Sequence, residues 1–219
     1  MFIGHIAVGF ASKRWAPRTS LAVLLAAPLL ADMIWPVLVL LGVETVRIVP
    51  GVTVMNPLAF DSYPWSHSLL MDAIWAALFA GAVYAVQKDR TAALVVAIGV
   101  LSHWVLDFIS HGPDMPLWPG GPKLGLGLWN SVAGTVVTEV VLFTIGVVLY
   151  ATATRARDRT GHLALWSLVL LLAALYVANV VGPPPLSIAP VAWFGVVATV
   201  LFTAWAWWID RHRDSVRPH

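Results

Sequence analysis

The chain has 219 residues, 59% of them hydrophobic and only 11% charged, with a formal net charge of +2 and no cysteine. Soluble domains average about a quarter charged residues, so the composition excludes an ordinary water-soluble enzyme and makes lipid the solvent. The missing cysteines exclude disulfides and thiolate metal sites. The basic residues sit in short clusters between apolar runs, which is a membrane topology signal and not the footprint of a nucleic-acid partner.

In chain order, the apolar stretch from Phe2 to Ala11 is too short to span a bilayer and reads as a half-helix, re-entrant or lying at the interface. Its basic cluster, Lys13, Arg14 and Arg18, follows the apolar run, the reverse of a cleaved signal peptide. Six stretches then have the length and composition of membrane spans, at 19–41, 66–87, 91–111, 128–151, 162–181 and 188–209. The first contains Pro28 and Pro36, which predicts a kink or local unwinding.

If the spans alternate, only Arg47 and Lys123 fall on one side of the membrane. The clusters at Lys13, Arg14 and Arg18, at Lys88 and Arg90, at Arg155, Arg157 and Arg159, and at Arg211, Arg213 and Arg217 fall on the other. By the positive-inside rule that crowded side is cytoplasmic, and the C-terminus with it. Trp65, Trp118, Trp129 and Trp193 are expected as anchors at the outer surface, and Trp15, Trp207 and Trp208 at the inner one. The expectation is an all-α polytopic protein with about six transmembrane helices and an N-terminal half-helix.

Polarity divides the chain. The last two spans carry no ionisable residue between Leu163 and Ile209, whereas the first four contain Asp32, Asp72, His103, Asp107 and Glu139, with His67 at a helix entrance. Residues 1–151 therefore read as a membrane-embedded site domain. Residues 152–219 read as a two-helix scaffold with a basic tail. A carboxylate inside a bilayer costs several kcal/mol, so these groups are expected to meet one another, a cation or a water-filled cavity.

His103, Asp107 and His111 recur at a spacing of four and form one stripe of a helix that Gly112-Pro113 ends. Imidazole nitrogens with a carboxylate oxygen suit zinc and related divalent metals. Ser66 is expected to cap span two, with His67 entering its outer end and Asp72 more than one turn further on. Asp61 is a further candidate in the preceding loop, Asp32 lies beside Pro36, and Glu139 lies inside span four. At ~1.5 Å rise per residue His103 is roughly 20 Å from the cytoplasmic end of its span, Asp32 is at a similar height and Glu139 is roughly 16 Å deep. His5 comes out only ~12 Å above the cytoplasmic end, at the lower edge of the group. Asp114 reads as a residue of the Gly-Pro turn, and His162, His212 and His219 as solvated.

These residues resemble a group of bacterial inner-membrane-associated metal-dependent hydrolases described as LexA-binding. The resemblance rests on Gly4-His5, on Asp32 after an apolar run, on Trp65-Ser66-His67-Ser68-Leu69-Leu70, on Leu101-Ser102-His103 through Asp107 and His111, and on Pro116-Leu117-Trp118-Pro119. It covers roughly residues 1–130. That group is distantly similar to the zinc-dependent phospholipase C and nuclease superfamily, whose helical sites hold several zinc ions. The resemblance implies His5, Asp32, His67, His103, Asp107 and His111 as ligands of a divalent metal, zinc first. Nothing in the chain reads as a repressor-docking surface, so LexA binding is not carried over.

The expected function is a membrane metal-dependent hydrolase acting on a phospholipid or other lipid-linked phosphoester. Asp72 or Glu139 would be the carboxylate that accepts the proton of a water. Two other classes use the same residues: an ion- or proton-coupled carrier, and a noncatalytic membrane protein with a structural metal. The absence of internal repeats speaks against the carrier.

Overall fold

The computed structural model describes residues 1–216; Arg217 and His219, counted above in the basic tail and among the solvated histidines, lie outside them. The protein is mainly helical. Helix α1 (Ile3–Ser12) is followed by α2 (Leu21–Ala26) and α3 (Leu30–Leu40), then by strands β1 (Thr45–Ile48) and β2 (Leu58–Ser62). A single turn α4 (Pro64–His67) leads into the long helices α5 (Leu69–Gln87) and α6 (Arg90–Ser110). A small hairpin of β3 (Met115–Pro116) and β4 (Lys123–Leu124) precedes α7 (Val132–Ala153), β5 (Thr154–Ala156), α8 (Arg159–Val181), α9 (Ile188–Arg211) and β6 (Arg213–Ser215).

Among the described residues, α5, α6, α7, α8 and α9 are long and apolar enough to cross a membrane. The expected span at 19–41 is not one helix. It breaks at Ala27–Leu29, where Pro28 has no N–H to offer and its ring cannot continue the helix. Gly99 of α6 lies against this break, 3.0 Å from the Ala27 side chain at its Cβ position, so α6 approaches the unwound turn closely. Pro36 stays inside α3, where Gly195 of α9 passes over its ring.

The N-terminal half-helix is buried inside the bundle. Ile3, His5, Ile6, Ala7 and Phe10 are almost wholly covered, and α1 packs chiefly on α7, then on α2 and α6. Two glycines permit this. A Cβ at Gly146 of α7 would stand 2.4 Å from the Ala7 carbonyl oxygen, and one at Gly9 would stand 2.8 Å from that of Leu24. Small residues let helix backbones approach where water supplies no hydrophobic drive between them. The core around α1 draws on Phe10, Leu25, Tyr150, Leu168 and Phe202, from α1, α2, α7, α8 and α9.

Polar contacts tie the basic end. Lys13 Nζ pairs with Asp210 at 2.8 Å, Thr19 Oγ1 donates to Gln87, Ser215 Oγ donates to the Pro17 carbonyl, and β5 pairs with β6. At the opposite end β1 and β2 form an antiparallel hairpin in which Val46 faces Phe60 and Ile48 faces Leu58. Alternation along β2 turns Leu58 and Phe60 inward and Asp61 outward, where the exposed Arg47 guanidinium grips it at 2.7 Å and holds its carboxyl below the usual range. Asp61 is thereby removed from the candidate ligands.

The close contact of α1 and α7 generates a test. Gly146→Val should lower the stability of the detergent-purified protein by roughly 1–3 kcal/mol, the usual cost of overpacking. Gly81→Ala, with nothing within 4 Å of its Cβ position, should leave the melting curve unchanged or raise it.

Candidate metal centre

Asp107 is the hub. Its carboxylate is 3% exposed, and its Oδ1 lies 3.0 Å from His5 Nε2. Its Oδ2 faces His103 Nε2 at 3.2 Å, His111 Nε2 at 3.6 Å and His67 Nε2 at 3.9 Å. Asp32 Oδ1 approaches His67 Nε2 from α3 at 3.6 Å. The Met1 amino group completes the cluster, bonded to Asp107 Oδ1 and lying 3.0 Å from His5 Nε2. His5, His67, His103 and His111 thus converge on one carboxylate from α1, α4, α6 and the end of α6. Two overlapping sets, His5 with His103 and Asp107, and Asp32 with His67 and His103, have their donor atoms within 4.8 Å of one another and could hold a metal ion.

The opposite ring nitrogens are also fixed. His103 Nδ1 donates to the Pro28 carbonyl at 2.8 Å, so the proline that breaks span one supplies an acceptor to the centre. His111 Nδ1 donates to Asp114 at 3.0 Å, and Tyr63 donates its hydroxyl to the same oxygen. Burial and the neighbouring carboxylates push the Tyr63 hydroxyl pKa up, which keeps it a donor. His67 Nδ1 meets Ser66 Oγ at 2.7 Å, and Ser66 gives its own proton to Glu44 Oε2 at 2.6 Å. With that proton committed, Ser66 accepts from His67 Nδ1–H. In each of these three rings Nε2 therefore faces Asp107. His5 stacks on His103 with centroids 4.0 Å apart, and its Nδ1 is buried without a partner.

Ser66 is consequently not the cap of span two. Ser68 takes that role, accepting from Met71 N, and a separate turn carries His67. Glu44, 1% exposed, organises this turn by accepting from Trp65 N, Ser66 N and Ser66 Oγ. No motif surrounds it in the sequence, where it reads as a loop carboxylate. Glu139 Oε2 plays the same part for α1, accepting from Phe2 N at 2.8 Å and Gly4 N at 3.1 Å. These are free N–H groups of a helix start, where a carboxylate also meets the positive end of the helix dipole.

A cavity of about 160 Å³ opens beside the hub, lined by Asp32, His67, Asp107, His111 and Glu139 on its polar side and by Trp35, Leu58, Phe60 and Trp129 on its apolar side. Trp129, expected as a surface anchor, is instead 9% exposed and lies 4.1 Å from the His111 ring, centroid to centroid. Asp72 is fully buried, but it does not line this cavity, and neither of its carboxylate oxygens has a hydrogen-bond partner. Asn179, an α8 carboxamide, also borders the cavity and, being uncharged, gives no ionisable signal in the sequence. It is the one carboxamide in the sequence of the last two spans, a signal that a count of all polar groups would have registered.

The chain matches the family model described as YdjM inner membrane protein over residues 1–182, a stretch that includes every residue of the centre. No curated protein and no solved structure matches it. With five long apolar helices and a family match over most of its length, the chain belongs to the YdjM inner membrane protein family.

Proposed function

We propose that the chain is a divalent-metal-dependent hydrolase embedded in the inner membrane, with zinc as the metal and a phospholipid or other lipid-linked phosphoester as substrate. The observation that carries this reading is the directed set of imidazoles. Three Nδ1 atoms are held by acceptors, and the Nε2 atoms turn to one buried carboxylate. Such support of the far ring nitrogen is the habit of metal-ligating histidines. His103 Nε2 has no hydrogen-bond partner among the described residues, as befits a donor atom reserved for an ion. His5, Asp32, His67, His103 and Asp107 would hold the metal, with His111 beside them.

A divalent ion held by these residues would supply Lewis acidity to a water and to a phosphoryl oxygen. Glu139, in the same cavity and held through Oε2 by α1, has Oε1 left to accept the proton of the attacking water. Asp72, the other carboxylate expected as a proton acceptor, does not line this cavity. The basic end of the bundle faces the cytoplasm and the hairpin end faces outward. The cavity then lies in the outer half of the bilayer, within reach of a lipid head group.

Elemental analysis of the detergent-purified full chain should find stoichiometric zinc, and His103→Ala or Asp107→Ala should lose it. Glu139→Gln should keep the metal and lower hydrolysis of phosphatidate in mixed micelles by about 10²–10⁴-fold, the usual contribution of a general base. Loss of zinc with Glu139→Gln, or unchanged hydrolysis in Asp107→Ala, would overturn the assignment. Zinc moved across liposomes without hydrolysis would instead identify a carrier.

The Glu44–Ser66–His67 chain gives a separate test. Ser66→Ala removes the acceptor of His67 Nδ1–H but leaves Glu44 on the backbone amides. It should weaken zinc affinity by about 10–100-fold, read by competition with a chromogenic chelator. Asp61→Asn, at an exposed pair outside the centre, should not change it.

A further inference from the structure

The polar cavity does not end at its aromatic wall. Asn56, Leu58 and Asn179 border both it and a second hollow of about 340 Å³. That hollow lies where α8 and α9 meet at the hairpin end, and its far wall is Pro190, Val191 and Phe194. From Asp107 outward, the lining passes from carboxylates and imidazoles to two carboxamides, and then to proline and aliphatic or aromatic side chains. Asn179 stands at the junction, in an otherwise apolar turn of α8, and its amide makes no hydrogen bond to the described residues. Asn179 is exposed, so its amide is open to water or to a ligand lying in the hollow.

We infer that the hollow between α8 and α9 is the acyl-chain subsite of an outer-leaflet phospholipid, with Asn179 as the residue that receives its ester region at the junction. The inference rests on the lipid-hydrolase reading of the centre and deepens it by placing the tail. The order of the lining is the order of groups along such a lipid: phosphate against the metal ligands, glycerol ester against the carboxamides, hydrocarbon against Val191 and Phe194. Phe194 is about two turns into α9 and 55% exposed, so no other helix covers this wall of the hollow. A free head group would need only the polar cavity, and the apolar extension would have no occupant.

Native mass spectrometry of the full chain, purified in mild detergent and supplied with a non-hydrolysable phosphonate analogue of dihexanoylphosphatidate, tests this. The wild type should retain one lipid per chain. Val191→Trp, which fills the hollow, and Asn179→Leu, which removes the amide, should each lower its occupancy by about tenfold. Leu170→Trp, on an exposed face of α8, should leave it unchanged. Zinc measured in the same samples should be equal in all four proteins. Loss of lipid with zinc retained supports the subsite. Retention in Val191→Trp equal to the wild type, equal loss in Leu170→Trp, or co-purification of an isoprenyl phosphate in place of a phospholipid would overturn it. Absence of zinc with lipid binding that still depends on Val191 would count against the metal centre and leave the subsite standing.

Discussion

The Asp107 carboxylate is the constraint around which the bundle is arranged. An anion with almost no access to water, inside helices that face lipid, costs several kcal/mol unless cationic or hydrogen-bonding groups are brought to it. Four imidazoles and an amino group answer that demand. To deliver them, the chain must turn α1 inward, break the first long apolar run and place a single helical turn before α5. Each of these departures from a plain helical bundle brings a group to one place.

The two short histidine-bearing elements are mounted in the same way. Each of α1 and α4 begins on a buried glutamate that accepts backbone N–H groups: Glu139 below α1 and Glu44 below α4. A helix of one to three turns has little stability of its own, and the carboxylate satisfies its unpaired amides where water cannot. The histidine that follows is thereby held to a fixed position, and the opposite nitrogens of His67, His103 and His111 are secured by Ser66, Pro28 and Asp114. Rigid positioning of this kind keeps the imidazoles directed at one carboxylate.

Close backbone packing supplies the remaining rigidity. Gly146 and Gly9 admit α1 between α7 and α2, and Gly99 admits the Pro28 turn against α6. Without these three positions His5 and the Pro28 carbonyl would stand further from Asp107 by the width of a side chain. The last two helices close the assembly, because α9 packs along both α2 and α3 while α8 brings Asn179 to the cavity. A helix pair without ionisable groups can still shape the site through backbone approach and one amide.

The sequence alone determined the membrane class, the long apolar helices and the stripe of His103, Asp107 and His111, because length, hydropathy and a spacing of four are local properties. It also marked His67 and Asp32 through their cost in an apolar run, and it marked Pro28 as a point of unwinding. Only the tertiary structure decided which polar groups meet. Asp61 and Glu44 are both loop carboxylates in the sequence, yet strand register turns Asp61 to Arg47 in solvent while Glu44 is buried under α4. His5, placed at the lower edge by counting residues, touches Asp107 because α1 packs inside the bundle. Asp72 and Glu139 look alike in their helices, but Glu139 alone lines the cavity. The cost of burying a charge can be read one residue at a time, whereas its compensation depends on which helices approach, and that is settled by packing between distant segments.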